Sequence, residues 1–202
     1  TARKVVVESE GKGQLKLTLR EAWSGRVVAR GEGASVSLPE APKLWDEFAP
    51  NLYRLEVVLG DDRREIAFGF RTIAREGHRL LINGRPSFLR GNMDCAQYPQ
   101  TGHPPTNVGS WKRMYRICQQ YGLNQIRFHS WCPPEAAFVA AGEMGMYLQP
   151  EGLWIDGWMG HPNSRKDMDT PGHPKGVGKG DRTIDEYVRA EMRRMLDTYG
   201  NH

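Results

Sequence analysis

The feature that most constrains this chain is the stretch of residues 122–154, which contains two short apolar segments with a helical segment between them. The apolar segments, residues 125–128 and 146–148, each predict a short strand. A strand, a helix and a strand joined by short connections predict a βαβ unit. The two strands are then expected to run parallel, with a right-handed crossover.

The helix of this unit has clear start and stop signals in the sequence. Pro133 and Pro134 suit the first turn, where a missing N–H costs nothing. Residues 136–141 form an apolar body. Gly145 suits the left-handed residue that ends a helix.

Polar side chains follow both predicted strands at the same end. After the first strand come Arg127, His129, Ser130 and Trp131, and after the second come Gln149, Glu151 and Trp154. Sites in such units form at the carboxyl ends of the strands, so this pattern predicts a binding site. The alternative is that Arg127, His129 and Glu151 form a purely structural polar cluster.

Residues 2–73 show the alternation that is typical of strands buried on one face. Leu15, Leu17 and Leu19 are separated by polar residues, and Val36 and Leu38 repeat the pattern. The predicted strands are residues 4–8, 14–20, 26–30, 34–38, 53–59 and 64–73. Many short strands separated by turns predict an immunoglobulin-like β-sandwich.

Trp45 lies in a proline-bearing connection of this β region. We expect it to pack across one end of the sandwich, because burial is the commoner fate of a tryptophan body. Stacking on a sugar is the alternative.

The pattern changes after residue 73, where strands begin to alternate with helices. Residues 80–82 and 87–90 flank Asn83-Gly84, the strongest two-residue hairpin signal. Asp94 follows the return strand closely, and a helix is expected next, with a stop at Gly122. Its apolar stripe is Trp111, Met114, Tyr115, Cys118 and Tyr121.

A long connection, residues 152–182, precedes the last predicted helix. Its tryptophans, Trp154 and Trp158, are expected to stack on a sugar ring or to pack within the connection itself. His161 and His173 are expected to be solvated, since they lack metal-ligand spacing.

The last predicted helix opens with a capping box of Thr183 and Glu186. Its expected buried stripe is Ile184, Tyr187, Val188, Met192, Met195, Leu196 and Tyr199.

Composition argues against several classes of function. The 202 residues carry a formal net charge of +4, but no nucleic-acid motif accompanies it. No apolar run is long enough to cross a bilayer, so no membrane partner is expected. Cys95, Cys118 and Cys132 have neither disulfide nor zinc spacing, and free thiols are expected.

The amino terminus begins Thr1-Ala2-Arg3-Lys4, without an initiator Met or a signal-peptide pattern. We therefore expect a trimmed chain, from which any export signal could have been removed. A periplasmic or secreted location is favoured over a cytoplasmic one.

Several short motifs occur together in the order and spacing of one enzyme family. They are Leu44-Trp45, Pro50-Asn51-Leu52-Tyr53-Arg54-Leu55, Gly69-Phe70-Arg71, Leu81-Ile82-Asn83-Gly84-Arg85-Pro86, Leu89-Arg90-Gly91, Asn124-Gln125-Ile126-Arg127 with His129-Ser130-Trp131, and Tyr147-Leu148-Gln149-Pro150-Glu151. With these motifs the chain resembles glycoside hydrolase family 2, which includes β-galactosidases, β-glucuronidases and β-mannosidases. The resemblance implies an immunoglobulin-like β-sandwich domain, residues 1–73, followed by the first part of an α/β (β/α)8 TIM barrel, residues 74–202.

The resemblance also implies retaining hydrolysis by two glutamates, one protonating the leaving oxygen and one attacking the anomeric carbon. In the family both come from later barrel strands, so no catalytic acid, base or nucleophile is assigned within this chain. The chain is expected to be part of a retaining exo-β-glycosidase acting on oligo- or polysaccharides, and to be inactive alone. The alternative is a non-catalytic carbohydrate-binding or interaction module on the same scaffold.

What the chain is expected to supply is the wall of a sugar pocket, with a carbohydrate as partner. The predicted substrate-binding residues are Asp94, Arg127, His129, Ser130, Trp131, Glu151 and Trp154. Arg127 would orient a catalytic carboxylate and favour its ionised form. Glu151 stands where the family has an auxiliary pocket carboxylate.

Departures from the better-known members bear on specificity. The family's Ser-His-Tyr order after the arginine is His129-Ser130-Trp131 here, and Cys95 stands where β-galactosidases carry a histidine. The family's magnesium ligands are not matched downstream. Galactose specificity and a magnesium requirement are therefore in doubt, and no cofactor is predicted.

Overall fold

The computed structural model describes residues 3–11, 13–152 and 182–201. Its strands are β1 (Lys4–Val6), β2 (Leu15–Glu21), β3 (Val27–Glu32), β4 (Ser35–Ser37), β5 (Tyr53–Leu59), β6 (Asp62–Phe68), β7 (Ile73–Glu76), β8 (Arg79–Ile82), β9 (Arg85–Ser87), β10 (Gly91–Asp94), β11 (Gln125–Phe128) and β12 (Tyr147–Pro150). Its helices are α1 (Val108–Gln120), α2 (Glu135–Met144) and α3 (Arg182–Tyr199). Within these residues no helix is both long and apolar enough to span a membrane. The predictions for Trp154, Trp158, His161 and His173, and for the side chains of Thr183 and Ile184, lie outside what is described.

The amino-terminal region consists of two antiparallel sheets around one core. One sheet has the strand order β3-β2-β5-β6, and the other pairs β1 with β4. Leu15, Leu17 and Leu19 of β2 are buried in this core with Val36 and Leu38, which confirms the period-two prediction. The strand-rich architecture is compatible with a β-sandwich.

The predicted strand of residues 64–73 is wrong as a single element. It ends at Phe68, and Ile73 begins a separate strand that pairs with β8. The chain leaves the sheet at Gly69, where an added Cβ would lie 2.6 Å from Trp45 Cβ. Phe68 pairs with Tyr53, the first residue of β5, so the ladder has no partner residue beyond it. The close approach of the Trp45 side chain leaves no space for a Cβ at position 69 and requires glycine there.

The Asn83-Gly84 hairpin is confirmed, and the strand after it is divided. Asn83 and Gly84 have φ values of 53° and 75°, as a type I′ turn requires. The predicted return strand, residues 87–90, is replaced by β9 and by β10, which lies in a different sheet. Asp94 is consequently the last residue of β10 and does not lie in the loop after it.

A parallel three-stranded sheet, in the order β10-β11-β12, carries the second half of the described chain. Helix α1 connects β10 to β11, and α2 connects β11 to β12, so the predicted βαβ unit is confirmed. Ile126 and Phe128 alternate along β11 and are buried beneath the helices against Trp111 and Tyr115. The other face of the strands is left for polar residues.

The helix boundaries differ from the prediction in physically clear ways. Pro134 is extended, with ψ 160°, so both prolines precede α2 and do not form its first turn. Gly145 does end α2 in the left-handed conformation, with φ 73°. Tyr121, predicted in the buried stripe of α1, is the residue that ends the helix and is 81% exposed.

The apolar stripe of α3 is buried only in part among the described side chains. Met195 is buried, and the ring of Tyr199 stacks on Phe138 of α2 at 4.1 Å between centroids. Leu196, by contrast, is 67% exposed. A cavity of about 400 Å³ lies between α3, α2 and β12, and Leu196 is one of the residues that line it.

The expected burial of Trp45 is confirmed, and the structure adds that this residue joins the sandwich to the parallel sheet. Its side chain is 4% exposed, and its Nε1–H donates to the carbonyl of Gly142 in α2 at 2.7 Å. The ring meets Tyr147 of β12 edge to face, at 5.5 Å between centroids. Arg71 lies over the same ring. Trp45 is therefore an inter-layer anchor and not an exposed platform for a sugar.

Truncating this anchor is expected to destabilise the fold. Trp45→Ala should lower the free energy of unfolding by about 3–5 kcal/mol, because it opens a cavity and leaves the Gly142 carbonyl without its donor. Trp23→Ala is the matched control, since Trp23 is 67% exposed, and should change it by less than about 0.5 kcal/mol. Urea unfolding followed by circular dichroism measures both. Equal losses in the two variants would contradict an anchoring role.

Candidate functional site

The carboxyl ends of the three parallel strands meet at one edge of the sheet. Asp94 of β10 pairs with Phe128 of β11, and Phe128 pairs with Pro150 of β12. His129, the residue that follows β11, donates its backbone N–H to the Asp94 carbonyl at 2.9 Å. The polar residues that follow each strand are thereby brought together, as the sequence predicted.

Glu151 links the ends of β11 and β12 through both carboxylate oxygens. Oε1 accepts from Arg127 Nε at 2.5 Å, and Oε2 accepts from the backbone N–H of Ser130 at 2.8 Å. Its own backbone N–H donates to the Trp131 carbonyl at 3.2 Å. Desolvation raises the pKa of Glu151, but the Ser130 N–H and the Arg127 guanidinium lower it more, so the net pKa lies below its usual range.

The turn between β11 and α2 has an unusual backbone conformation. Ser130 has φ 63°, in the left-handed region that non-glycine residues occupy only at some cost. Trp131 follows, and its Nε1–H donates to the Asp94 carbonyl at 3.0 Å. Its ring meets Phe128 and Tyr98 edge to face, with centroids at 5.1 and 6.3 Å. Trp131 is therefore held by its neighbours on several sides.

Asp94 is likewise occupied by neighbouring groups. Oδ1 accepts from the backbone N–H of Ala96 at 2.8 Å, and Oδ2 accepts from the Tyr98 hydroxyl at 2.9 Å. Burial, with the Asp94 hydrogen bond, raises the pKa of Tyr98 well above its usual range, so the phenol stays a donor. Sequence reasoning missed Tyr98 as a site residue. The available signal was that Tyr98 follows the strand-end Asp94 closely in the sequence, so that its hydroxyl can reach the carboxylate.

A row of exposed residues crosses the three strands on the face opposite the helices, one position before the strand ends. Met93, Arg127 and Gln149 are in register across the three strands, and all are exposed. Gln149 Oε1 also accepts from Gln125 Nε2 at 2.8 Å. Arg127 lies within β11 and Gln149 within β12, and neither follows its strand as predicted, so both contribute to the sheet face and not to the loops.

Three cysteines are unpaired in the structure, and one is close to the site. Cys95 is exposed, with Sγ 3.9 Å from His129 Nδ1. Cys118 and Cys132 are half-buried, and desolvation raises the pKa of each thiol. In the part of the chain that the structure describes, no three His, Cys, Asp or Glu side chains are placed to hold a metal ion.

Six of the seven residues predicted to contact substrate belong to this strand-end cluster: Asp94, Arg127, His129, Ser130, Trp131 and Glu151. The seventh, Trp154, lies outside the described residues. The cluster presents a guanidinium, an imidazole and a hydroxyl around an ionised carboxylate. Such groups can donate to and accept from sugar hydroxyls or a neighbouring carboxylate.

Known proteins with similar sequences are named as β-glucuronidases and β-galactosidases. A candidate β-glucuronidase of Formosa agariphila is 30% identical over 126 residues, which are 59% of this chain and 15% of that protein. A β-galactosidase of Vibrio vulnificus is 30% identical over 138 residues, 65% of this chain and 13% of its own length. No family model matches the chain.

Solved structures of the β-glucuronidase from Ruminococcus gnavus share the fold. The ligand-free enzyme superposes with a TM-score of 0.78 and 22% identity, covering 98% of this chain and 33% of the enzyme chain. The complex with uronic isofagomine has a TM-score of 0.65 and 26% identity, covering 74% and 26%. The sequence relatives are glycoside hydrolases by name, β-glucuronidases and β-galactosidases. The resemblance to family 2, with its β-glucuronidases and β-galactosidases, is confirmed. The chain spans a third or less of the length of each of these relatives.

The depressed pKa of Glu151 predicts a pH-dependent contribution to stability. A carboxyl group whose pKa is lower in the folded state stabilises the fold fully above its unfolded value of about 4.3, and loses this as pH falls through the folded value. The difference in unfolding free energy between wild type and Glu151→Gln should therefore be constant above about pH 5 and shrink toward pH 3. Urea unfolding across this range measures it. Glu76→Gln, a change at an exposed position of β7, serves as the control. The prediction is contradicted if the difference in unfolding free energy between wild type and Glu151→Gln does not vary with pH.

Proposed function

We propose that this chain is part of a retaining exo-β-glycosidase that hydrolyses O-glycosidic bonds of oligo- or polysaccharides. The observation that carries the proposal is the meeting of Arg127, His129, Ser130 and Glu151 at the carboxyl ends of parallel strands. The glycosidase relatives, matched in sequence and in fold, support it.

The proposal includes a division into an immunoglobulin-like sandwich, residues 1–73, and the opening part of a (β/α)8 barrel, residues 74–202. Parallel strands joined by right-handed helical crossovers are the repeating unit of such barrels. In the described chain β12 pairs only with β11, and its other side borders the cavity beneath α3. A further parallel strand would fit this edge, since α3 runs beside it as a crossover helix would.

The chemistry assigned to this chain is binding and orientation, with no proton transfer or nucleophilic attack. Retaining hydrolysis needs two carboxyl groups about 5–5.5 Å apart, one as acid/base and one as nucleophile. We place both on later strands of the complete enzyme. Arg127 carries a fixed positive charge at the sheet edge, so it would hold a neighbouring catalytic carboxylate ionised and aligned.

The sugar specificity is proposed only as a class. The relatives include proteins named as a β-glucuronidase and a β-galactosidase, and one of the similar solved structures is a complex with uronic isofagomine. A β-linked hexose or hexuronic acid is the proposed substrate class. Galactose specificity and magnesium dependence are left out of the proposal, because Cys95 stands where β-galactosidases carry a histidine and the family's magnesium ligands are not matched.

The first experiment is to sequence the coding DNA past the codon for His202. The proposal expects a strand ending in Asn-Glu within about ten residues, one strand and loop length. A stop codon or an unrelated sequence would overturn the hydrolase proposal and favour a non-catalytic carbohydrate-binding module.

Activity assays on two lengths of the protein test the assigned roles. The complete enzyme should cleave an aryl β-glucuronide or β-galactoside, whereas the 202-residue chain should cleave neither. In the complete enzyme, Arg127→Ala should lower kcat/KM about 100-fold, because a misaligned carboxylate costs this much. Arg30→Ala, on the sandwich, is the control and should leave kcat/KM unchanged. Turnover by the 202-residue chain, checked by intact mass, would contradict the proposed division of roles.

A further inference from the structure

The strand-end cluster contains two carboxylates, and both are turned toward the protein itself. Each oxygen of Glu151 accepts one hydrogen bond, from Arg127 Nε and from the Ser130 backbone. Each oxygen of Asp94 also accepts one, from the Ala96 backbone and from the Tyr98 hydroxyl. Each carboxylate thus directs two of its roughly four lone-pair positions at groups of the protein, which fixes the orientation of both side chains.

The bonds of Glu151 act on a backbone that needs support. Ser130 occupies the left-handed region, which is unfavourable for a non-glycine residue and persists only where the surroundings enforce it. Its N–H points at Glu151 Oε2, and the adjacent Trp131 carbonyl accepts from the Glu151 N–H. Glu151 therefore holds this turn from two sides, across the gap between β11 and β12.

The bonds of Asp94 fix the same turn from the opposite side. Its backbone carbonyl accepts both the His129 N–H and the Trp131 indole N–H, at 2.9 and 3.0 Å. Its side chain holds Tyr98, whose ring meets the edge of Trp131. The turn of residues 129–131 is thus clamped between the ends of β10 and β12.

We infer that Asp94 and Glu151 are positioning residues that fix the 129–131 turn, and that Arg127, His129 and Ser130 contact the sugar. Trp131 belongs with the positioning group, because its indole N–H and its ring edges are engaged within the protein. The sequence analysis predicted that all seven residues bind the substrate in the same way, whereas this assignment divides them into two roles. Its sugar-contact half rests on the proposed function, whereas its positioning half concerns the described chain alone.

The positioning half is tested by two-dimensional NMR of the ¹⁵N-labelled 202-residue chain between pH 2.5 and 6.5. An amide that donates to a carboxylate moves downfield as the carboxylate ionises. The Ser130 amide should therefore titrate with a midpoint below the ordinary glutamate value of about 4.3. Glu151→Gln, which keeps an acceptor oxygen, should retain the Ser130 resonance and abolish its titration. Glu151→Ala should shift the resonances of residues 129–131 even at pH 6.5.

Two controls distinguish loss of the Glu151–Ser130 hydrogen bond from a general loss of structure. Glu76→Gln should leave the Ser130 titration unchanged, and the buried-core amides of β2 should not move in any variant. A Ser130 amide that does not titrate in the wild type, or one that still titrates in Glu151→Gln, overturns the positioning role.

The sugar-contact half is tested by adding methyl β-D-glucuronide or methyl β-D-galactoside to the same sample. Shifts should appear at the side chains of Arg127 and His129, while the Ser130 amide continues to titrate with Glu151. If saturation abolishes that titration, Glu151 has moved from Ser130 to the sugar and the inference is wrong. If neither sugar shifts any resonance, the sugar-binding function proposed for this span fails, while the pH titration still decides the positioning role.

Discussion

The rest of the structure depends on the segment around Trp45, which holds the sandwich against the parallel sheet. The indole donates to Gly142 of α2, and the following residue, Asp46, pairs with Arg85 of the hairpin. Glu47 then accepts from the side chain of Asn124, a buried amide just before β11. Consecutive residues thus bind three separate elements. Hydrogen bonds and ion pairs are directional, so these three contacts fix the orientation of the sandwich relative to the parallel sheet as well as their contact.

This junction fixes the base of the sheet on which the candidate site is built. Asn124 also accepts from the Arg90 backbone at 2.7 Å and donates to the Phe88 carbonyl, so it aligns the starts of β10 and β11. The parallel register that follows brings Asp94, His129 and Glu151 together at the far end. The junction and the site lie at opposite ends of the same strands. A site built on aligned strands keeps its geometry because the strands hold the ends from which its turns begin.

Sequence reasoning succeeded where the pattern is local. The alternation in β2, the Asn83-Gly84 turn, the left-handed Gly145 and the βαβ order each follow from residues within a few positions of one another. It failed where distant residues decide. The strand before Gly69 ends where its partner β5 begins, at Tyr53, and Gly69 itself lies against Trp45, which is far away in the sequence. The exposed Leu196 lines the cavity between α3, α2 and β12. None of these neighbours is visible in the local sequence.

The sequence by itself determined which residues gather at the strand ends, because parallel strands with short connections leave their carboxyl ends on one edge. It also determined the resemblance to the β-glucuronidases and β-galactosidases, through short motifs in a fixed order. Only the tertiary structure decided how the site residues are used. Whether a carboxylate faces a ligand or its own backbone depends on the neighbours its oxygens meet, and for Glu151 those are Arg127 and a left-handed Ser130.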